Sequence, residues 1–347
     1  VVAVALAATW LLQRALREHE RDGSDEPTAA ALTAFGLTFV SLALVQTHVS
    51  LPMLLFDRFL PGLGWLAVLG LGAYAGWITE RMLDARAQPR WRWGIWLGFS
   101  ALFFVQLGLG LAGVDRLLMT GDLHVPVPAV IAAGPIFRGE RFFMPILFAT
   151  TVLIVGPAWC SHLCYLGAWD QEASRRRRLP LPLPRWAPRL RIALLGVVVF
   201  AAIGLRAAGA SAAMAAVLAG AFGIVGVAVM LVWSRRTGTM AHCVTYCPIG
   251  LAATALGKLS LFRLKISSAC TSCGACTRHC RYDALRPADI EKSQPRATCT
   301  LCGDCLGTCH ERALSFGFLG LSAPAARVVF VVLVVAFHAA TLGLARV

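Results

Sequence analysis

Eight of the chain's twelve cysteines stand in two CxxCxxCxxxC groups, Cys270, Cys273, Cys276 and Cys280, then Cys299, Cys302, Cys305 and Cys309. A segment with this spacing folds around whatever its thiolates hold. A tight CxxCxx turn lets three sulfurs reach one cubane iron–sulfur cluster, while the fourth cysteine, just beyond the turn, crosses to the other. The expected ligand sets are Cys270, Cys273, Cys276 and Cys309 for one [4Fe-4S] cluster, and Cys299, Cys302, Cys305 and Cys280 for a second. A zinc ribbon would need only four ligands at CxxC…CxxC spacing, and a reducing compartment disfavours a disulfide framework. The surrounding segment, 258–322, has the size of a small two-cluster module. It can build little core of its own, so its folding depends on metal.

The rest of the chain is apolar. Hydrophobic residues make up 58% and charged residues 14%, with mean hydropathy +0.69, well beyond an ordinary soluble domain. Runs long enough to cross a hydrocarbon core occur near 29–50, 62–80, 93–114, 143–160, 189–207, 211–233 and 324–345. Val1 to Leu12 is too short alone and reads as the remainder of a first helix. Arg14 and Arg17 follow that run, where a signal peptide would carry its basic residues before it. The expected fold is an all-α polytopic membrane bundle of about seven to eight transmembrane helices with an inserted small α+β bacterial-ferredoxin-like domain. Its expected division is 1–257 transmembrane, 258–322 ferredoxin-like and 323–347 a C-terminal transmembrane helix.

A net charge of +14 invites a nucleic-acid reading, and its distribution removes it. Arg14, Arg17 and Arg21, then Arg81, Arg86, Arg90 and Arg92, then Arg175 to Arg178 with Arg185, Arg189 and Arg191, then Arg235 and Arg236 fall in alternate loops. The positive-inside rule makes those loops cytoplasmic, and the cysteine-rich segment follows Arg235 and Arg236 on the same side. The expected location is a bacterial-type inner membrane, multi-pass, with the ferredoxin-like domain facing the cytoplasm. Arg175 to Arg178 read as a topology anchor at anionic lipid, and Trp91, Trp93, Trp159, Trp169 and Trp233 as an interfacial belt.

The remaining cysteines form an internal repeat, PAWCSHLCYLGA at 157–168 and MAHCVTYCPIGL at 240–251. On a helix, cysteines at i and i+4 share a face. Cys160 and Cys164 could then meet Cys243 and Cys247 across a helix pair as a third iron–sulfur or metal centre. Pro248, Gly167 and Gly250 argue for a backbone break at the motif. The plainer alternative is four buried thiols packing as small hydrophobes.

Taken together, the stretch from Trp159 to Ala168, the CxxxCPxG stretch from Cys243 to Gly250 and the paired CxxCxxCxxxC groups resemble the polyferredoxin-type membrane family of NapH, MauN and the membrane core of NosR. The resemblance covers about residues 90–320. It implies passage of electrons between the quinone pool and a redox partner protein, as in a quinol dehydrogenase-type subunit, with ligation by the eight ferredoxin cysteines and a redox or metal role for the other four. Tyr165 stands where the first CxxxCP motif would have proline, and Arg281 and His310 where each ferredoxin motif would end in Cys-Pro. The related CcoG-type proteins suggest an alternative, a copper reductase or assembly factor. A redox-sensing regulatory protein is a third reading.

His162 and His242 flank the CxxxC motifs and are candidate proton-handling groups. Haem is not expected, since His48 and His338 make the only pair that could serve as axial ligands. For a quinone headgroup the outer loop offers Asp122, His124, Arg138, Glu140 and Arg141, which read more simply as solvated loop residues.

Overall fold

The computed structural model describes residues 26–117 and 125–344. Six helical stretches are long and apolar enough to cross a membrane: Pro27–His48, Gln88–Leu111, Phe143–His162, Ala187–Ala207, Ala212–Thr237 and Ala323–Gly343. The run expected at 62–80 forms a helix as well, Gly64–Leu83, but Glu80 and Arg81 near its end leave it outside that group. Val1 to Leu12 lies outside the described residues.

The chain divides into two compact units, one holding 26–117 and 315–344 among the described residues and the other 125–314. The first is built from α1 (Glu26–His48), α2 (Gly64–Leu83), α3 (Gln88–Leu111) and, at the far end of the chain, α11 (Ala323–Gly343). Small residues set its packing. A side chain at Gly76 would stand 3.2 Å from the Ala31 carbonyl oxygen, and one at Gly72 3.0 Å from the Phe35 ring, so α1 and α2 approach as small residues allow helices in lipid to do. Leu42, Leu54 and Val68 form the core there, with Phe39, Leu71 and Ala340 against them.

The second unit holds α4 (Val130–Arg138), α5 (Phe143–Val155), α6 (Trp159–His162), α7 (Tyr165–Arg175), α8 (Ala187–Ala207), α9 (Ala212–Val229) and α10 (Pro248–Leu256). Only 17% of the apolar window of α8 and 11% of that beginning at Ala212 is buried within the protein. Phe200, Val217 and Ile224 stand 70–75% exposed. Apolar surface on that scale, on helices of that length, is what membrane-spanning helices would present to lipid. Beyond α10 the strand β1 (Arg263–Ile266) leads into the cysteine-rich stretch, and β2 (Leu314–Gly317) begins where that stretch ends.

Candidate iron–sulfur sites

The cysteine-rich stretch repeats itself in three dimensions at an interval of 29 residues. Ser272 and Leu301 both have left-handed backbone, at φ 54° and 55°, as do Gly274 and Gly303 at 71° and 80°, and Asp283 and Arg312 at 51° and 49°. Positive φ at a leucine or an arginine is uncommon. Its recurrence at matching positions shows that both turns are shaped alike, and left-handed residues within a turn are the means by which backbone makes concavities for anionic Fe–S sites. The cross-over cysteines match too: Ala284 N–H donates to Cys280 Sγ and Ala313 N–H to Cys309 Sγ, each at 3.3 Å.

Two cavities open in this stretch, of about 360 and 390 Å³ including their mouths. One is lined by Cys280, Cys299, Cys302 and Cys305, with Leu264, Tyr282 and Leu301. The other is lined by Cys270, Cys273, Cys276 and Cys309, with Ile266, Ile290 and Leu314. Each cavity thus draws three cysteines from one motif and the fourth from the other. The two differ in shelter. Burial pushes the Cys280 and Cys299 thiols up to about 12, whereas Cys273 is exposed. A thiol so raised is protonated at neutral pH, and a bound metal is what deprotonates it. Among the described residues, no group of three or more His, Cys, Asp or Glu is gathered around a single-ion position.

The CxxxC motifs are not continuous helices. Cys160 lies in the short α6 and Cys243 in a π-helical turn, His242–Tyr246. In each copy the chain then breaks, and the second cysteine caps a new helix. Cys164 precedes α7 at φ −80°, ψ 112°, and Cys247 precedes α10 at φ −72°, ψ 115°. The shared-face geometry expected from i,i+4 spacing is therefore replaced by a repeated helix–break–helix. Pro248 suits the first turn of α10, where its missing N–H costs nothing. The backbone N–H groups of Leu166 and Gly167 face Cys164 Sγ, and those of Ile249 and Gly250 face Cys247 Sγ. The Gly250 contact is a hydrogen bond of 3.4 Å. Both thiols thus sit where a helix N-terminus favours a thiolate.

The two copies converge. Cys160 and Cys247 share one apolar cluster with Phe148, Val152, Ile249 and Ala253. Cys243 lies within electrostatic reach of Cys160, Cys164 and Cys247. Burial drives Cys164 up to about 12 and raises Cys243 and Cys247 as well. Asp170, a fully buried carboxylate on α7, accepts the Cys243 N–H at 2.9 Å, and burial raises it to about 6. Sequence reading missed Asp170, which stands among Gln171, Glu172, Ser174 and Arg175 and so looks like one more polar residue of a solvated helix. His242 is held down to about 4 by burial, with Nδ1 3.2 Å from the Gly226 carbonyl, so it is neutral at physiological pH. His162 is buried with Nδ1 3.0 Å from Ser161 Oγ.

Several bonds join the motif region to the ferredoxin-like turns. Ser161, next to Cys160, donates from Oγ to the Thr300 carbonyl at 3.1 Å, and Thr300 is next to Cys299. A side chain at Gly156, φ +68°, would come 2.8 Å from Leu301 Cδ1, so only glycine allows this approach. Arg281, in the place of the cluster-shielding proline, donates from one guanidinium nitrogen to the carbonyls of Ser174 (2.8 Å), Arg177 (3.2 Å) and Gly238 (2.8 Å). Its own carbonyl accepts from Met240 N–H at 2.8 Å. The residue that departs from the family pattern therefore carries a specific attachment.

A protein-family model described as a 4Fe-4S binding domain matches residues 141–182 and 217–267. The chain is an iron–sulfur protein of ferredoxin-like kind, and its role is electron transfer. The matched stretches contain Cys160, Cys164, Cys243 and Cys247 and stop before Cys270. No curated protein and no solved structure matches the chain.

The other candidate residues lie elsewhere. His338, buried in α11, has Nε2 3.1 Å from the Tyr74 hydroxyl, while His48 is exposed with Nδ1 3.1 Å from the Leu44 carbonyl of its own helix. Asp122 and His124 lie outside the described residues. Glu140 and Arg141 pair with each other at 3.7 Å and are 65% and 63% exposed.

Proposed function

We propose that this chain is a membrane-bound iron–sulfur protein that passes electrons between the quinone pool and a redox partner protein, as a quinol dehydrogenase-type subunit. It belongs in a bacterial-type inner membrane with seven or eight spans, its ferredoxin-like domain, 258–322, facing the cytoplasm. The observation that carries this reading is the sorting of the twelve cysteines into three sets. Two sets line separate cavities, each with one cysteine crossed over, and the third lies in the stretches that match the 4Fe-4S family. Cys270, Cys273, Cys276 and Cys309 would hold one cubane, Cys299, Cys302, Cys305 and Cys280 a second, and Cys160, Cys164, Cys243 and Cys247 a third. Bound there, the clusters supply one-electron transfer.

The chain's own groups support such holding. Apolar walls keep water from the Cys299 set, paired N–H groups soften the charge on the cross-over sulfurs, and helix N-termini face Cys164 and Cys247. The Ser161 to Thr300 bond leaves the third set adjacent to the Cys299 set, with exposed Cys273 marking the Cys270 set as the outermost, where a soluble partner would meet it.

The test is reduction by a quinol. In anaerobic membranes containing the protein, added quinol or quinone should change the cluster EPR signals, and a Cys276→Ser variant should lose part of that change. Clusters that respond to dithionite but to no quinone couple would remove the quinone pool from this account.

A further inference from the structure

Arg191 sits on the fifth residue of α8, inside a membrane-crossing stretch, and is 5% exposed. An ionised group in such a position is held there by a partner of opposite charge or by a function. No carboxylate lies within ion-pair distance of it among the described residues. Asp170, the acid of this site, instead accepts the Cys243 N–H. Arg191 donates from Nε to the Cys247 carbonyl at 3.3 Å and from one guanidinium nitrogen to Thr254 Oγ1 at 3.5 Å. The charges it does face are sulfurs: Cys247, Cys160 and Cys243 all lie within its electrostatic reach. Gly250, the glycine of the second motif copy, leaves it room, since a side chain there would meet an Arg191 nitrogen at 2.5 Å.

We propose that Arg191 is the counter-charge of the four-cysteine centre, a positioning residue that holds the Cys247 turn and favours the reduced form of whatever cluster the four thiolates bind. This rests on the reading that Cys160, Cys164, Cys243 and Cys247 share one centre. Four thiolates make a net negative site, and one-electron reduction adds a further negative charge. A guanidinium fixed beside them in a low-dielectric setting stabilises the more negative state more. A surface arginine would be screened, but a buried one is not.

The experiment compares Arg191→Lys, which keeps the charge, with Arg191→Met, which keeps bulk and loses the charge. Both are made in the full-length membrane protein, purified anaerobically, and followed by iron analysis and EPR-monitored redox titration. Arg191→Met should move the third centre's one-electron equilibrium at least tenfold toward the oxidised form, about 59 mV in midpoint. Arg191→Lys should stay near wild type, and both ferredoxin-like signals should be unmoved. Loss of the third centre in Arg191→Met but not in Arg191→Lys would equally mark the charge as what the centre needs. A third centre with unchanged midpoint in Arg191→Met, or one lost in both variants alike, would overturn the counter-charge role while leaving the centre itself standing. A wild-type protein with no third centre would instead overturn the reading on which the role rests.

Discussion

Arg281 shows how one residue can depart from a family pattern and still do the structural work of the place it occupies. Proline there would shape the turn and cover a cluster. Arginine instead reaches three carbonyls at the ends of neighbouring elements, Ser174, Arg177 and Gly238. Hydrogen bonds from a charged donor contribute more than neutral ones, so Arg281→Ala should weaken the attachment of the cysteine-rich stretch by about 2 kcal/mol or more. Limited proteolysis of folded protein should then cut between 258 and 314 several-fold faster, and an unchanged rate would show the contacts to be incidental. The cysteines make a sharper case. Cys276→Ser should disturb the cavity that holds Cys270, and Cys302→Ser the one that holds Cys299, each removing a different cubane signal in low-temperature EPR. Two fully occupied signals in either variant would refute the ligand sets. These roles were legible in the sequence because thiol spacing is rigid chemistry. Asp170 and Arg191 were not: Asp170 stands beside Glu172 and a run of arginines, and Arg191 reads as one more loop cation after Arg185 and Arg189, until packing buries both.

At the level of elements, long apolar runs marked the helices to within a few residues, since the need to satisfy backbone groups in lipid leaves a run of that length little choice but helix. The expected 324–345 became Ala323–Gly343 and 189–207 became Ala187–Ala207. The CxxxC repeat was harder. Spacing of i and i+4 invites one helix face, but a helix broken before Tyr165 and before Pro248 places the second cysteine at a new N-terminus. That arrangement depends on Pro248 and on the room at Gly250, which the local pattern hinted at without giving the direction of the new helix. The cysteine-rich stretch, by contrast, holds little regular structure beyond β1, β2 and single helical turns. Its conformation relies on left-handed residues such as Leu301 and Arg312, costly unless something bound repays them. Iron chelation should therefore unfold this stretch, with hydrogen exchange at 263–314 rising to the unprotected rate, while α1, α2 and α11 stay protected. Uniform protection after complete iron removal would mean that the stretch folds on its own core.

For the molecule as a whole, the asymmetry of charge across alternate loops carries the orientation, and it is checked by labelling from each side. A single cysteine at Glu140 and one at Arg176, both exposed positions, should react from opposite faces of sealed vesicles. Labelling from the same face would displace the cysteine-rich stretch from the cytoplasmic side. What composition could not show is that the third cysteine set and the ferredoxin-like turns share one compact unit, joined by Ser161 to Thr300 and by Arg281. That joining makes the third set part of an electron-transfer assembly in this account, where otherwise it would be four packing thiols. The most direct measurement is iron and acid-labile sulfide content of the anaerobically purified protein, read together with EPR. Three cubane centres predict about twelve iron atoms per chain, with Cys164→Ala lowering the count while both ferredoxin-like signals persist. About eight iron atoms, unchanged by Cys164→Ala and with no other metal present, would contradict the third centre, and a chain that binds zinc in place of iron would contradict the whole account.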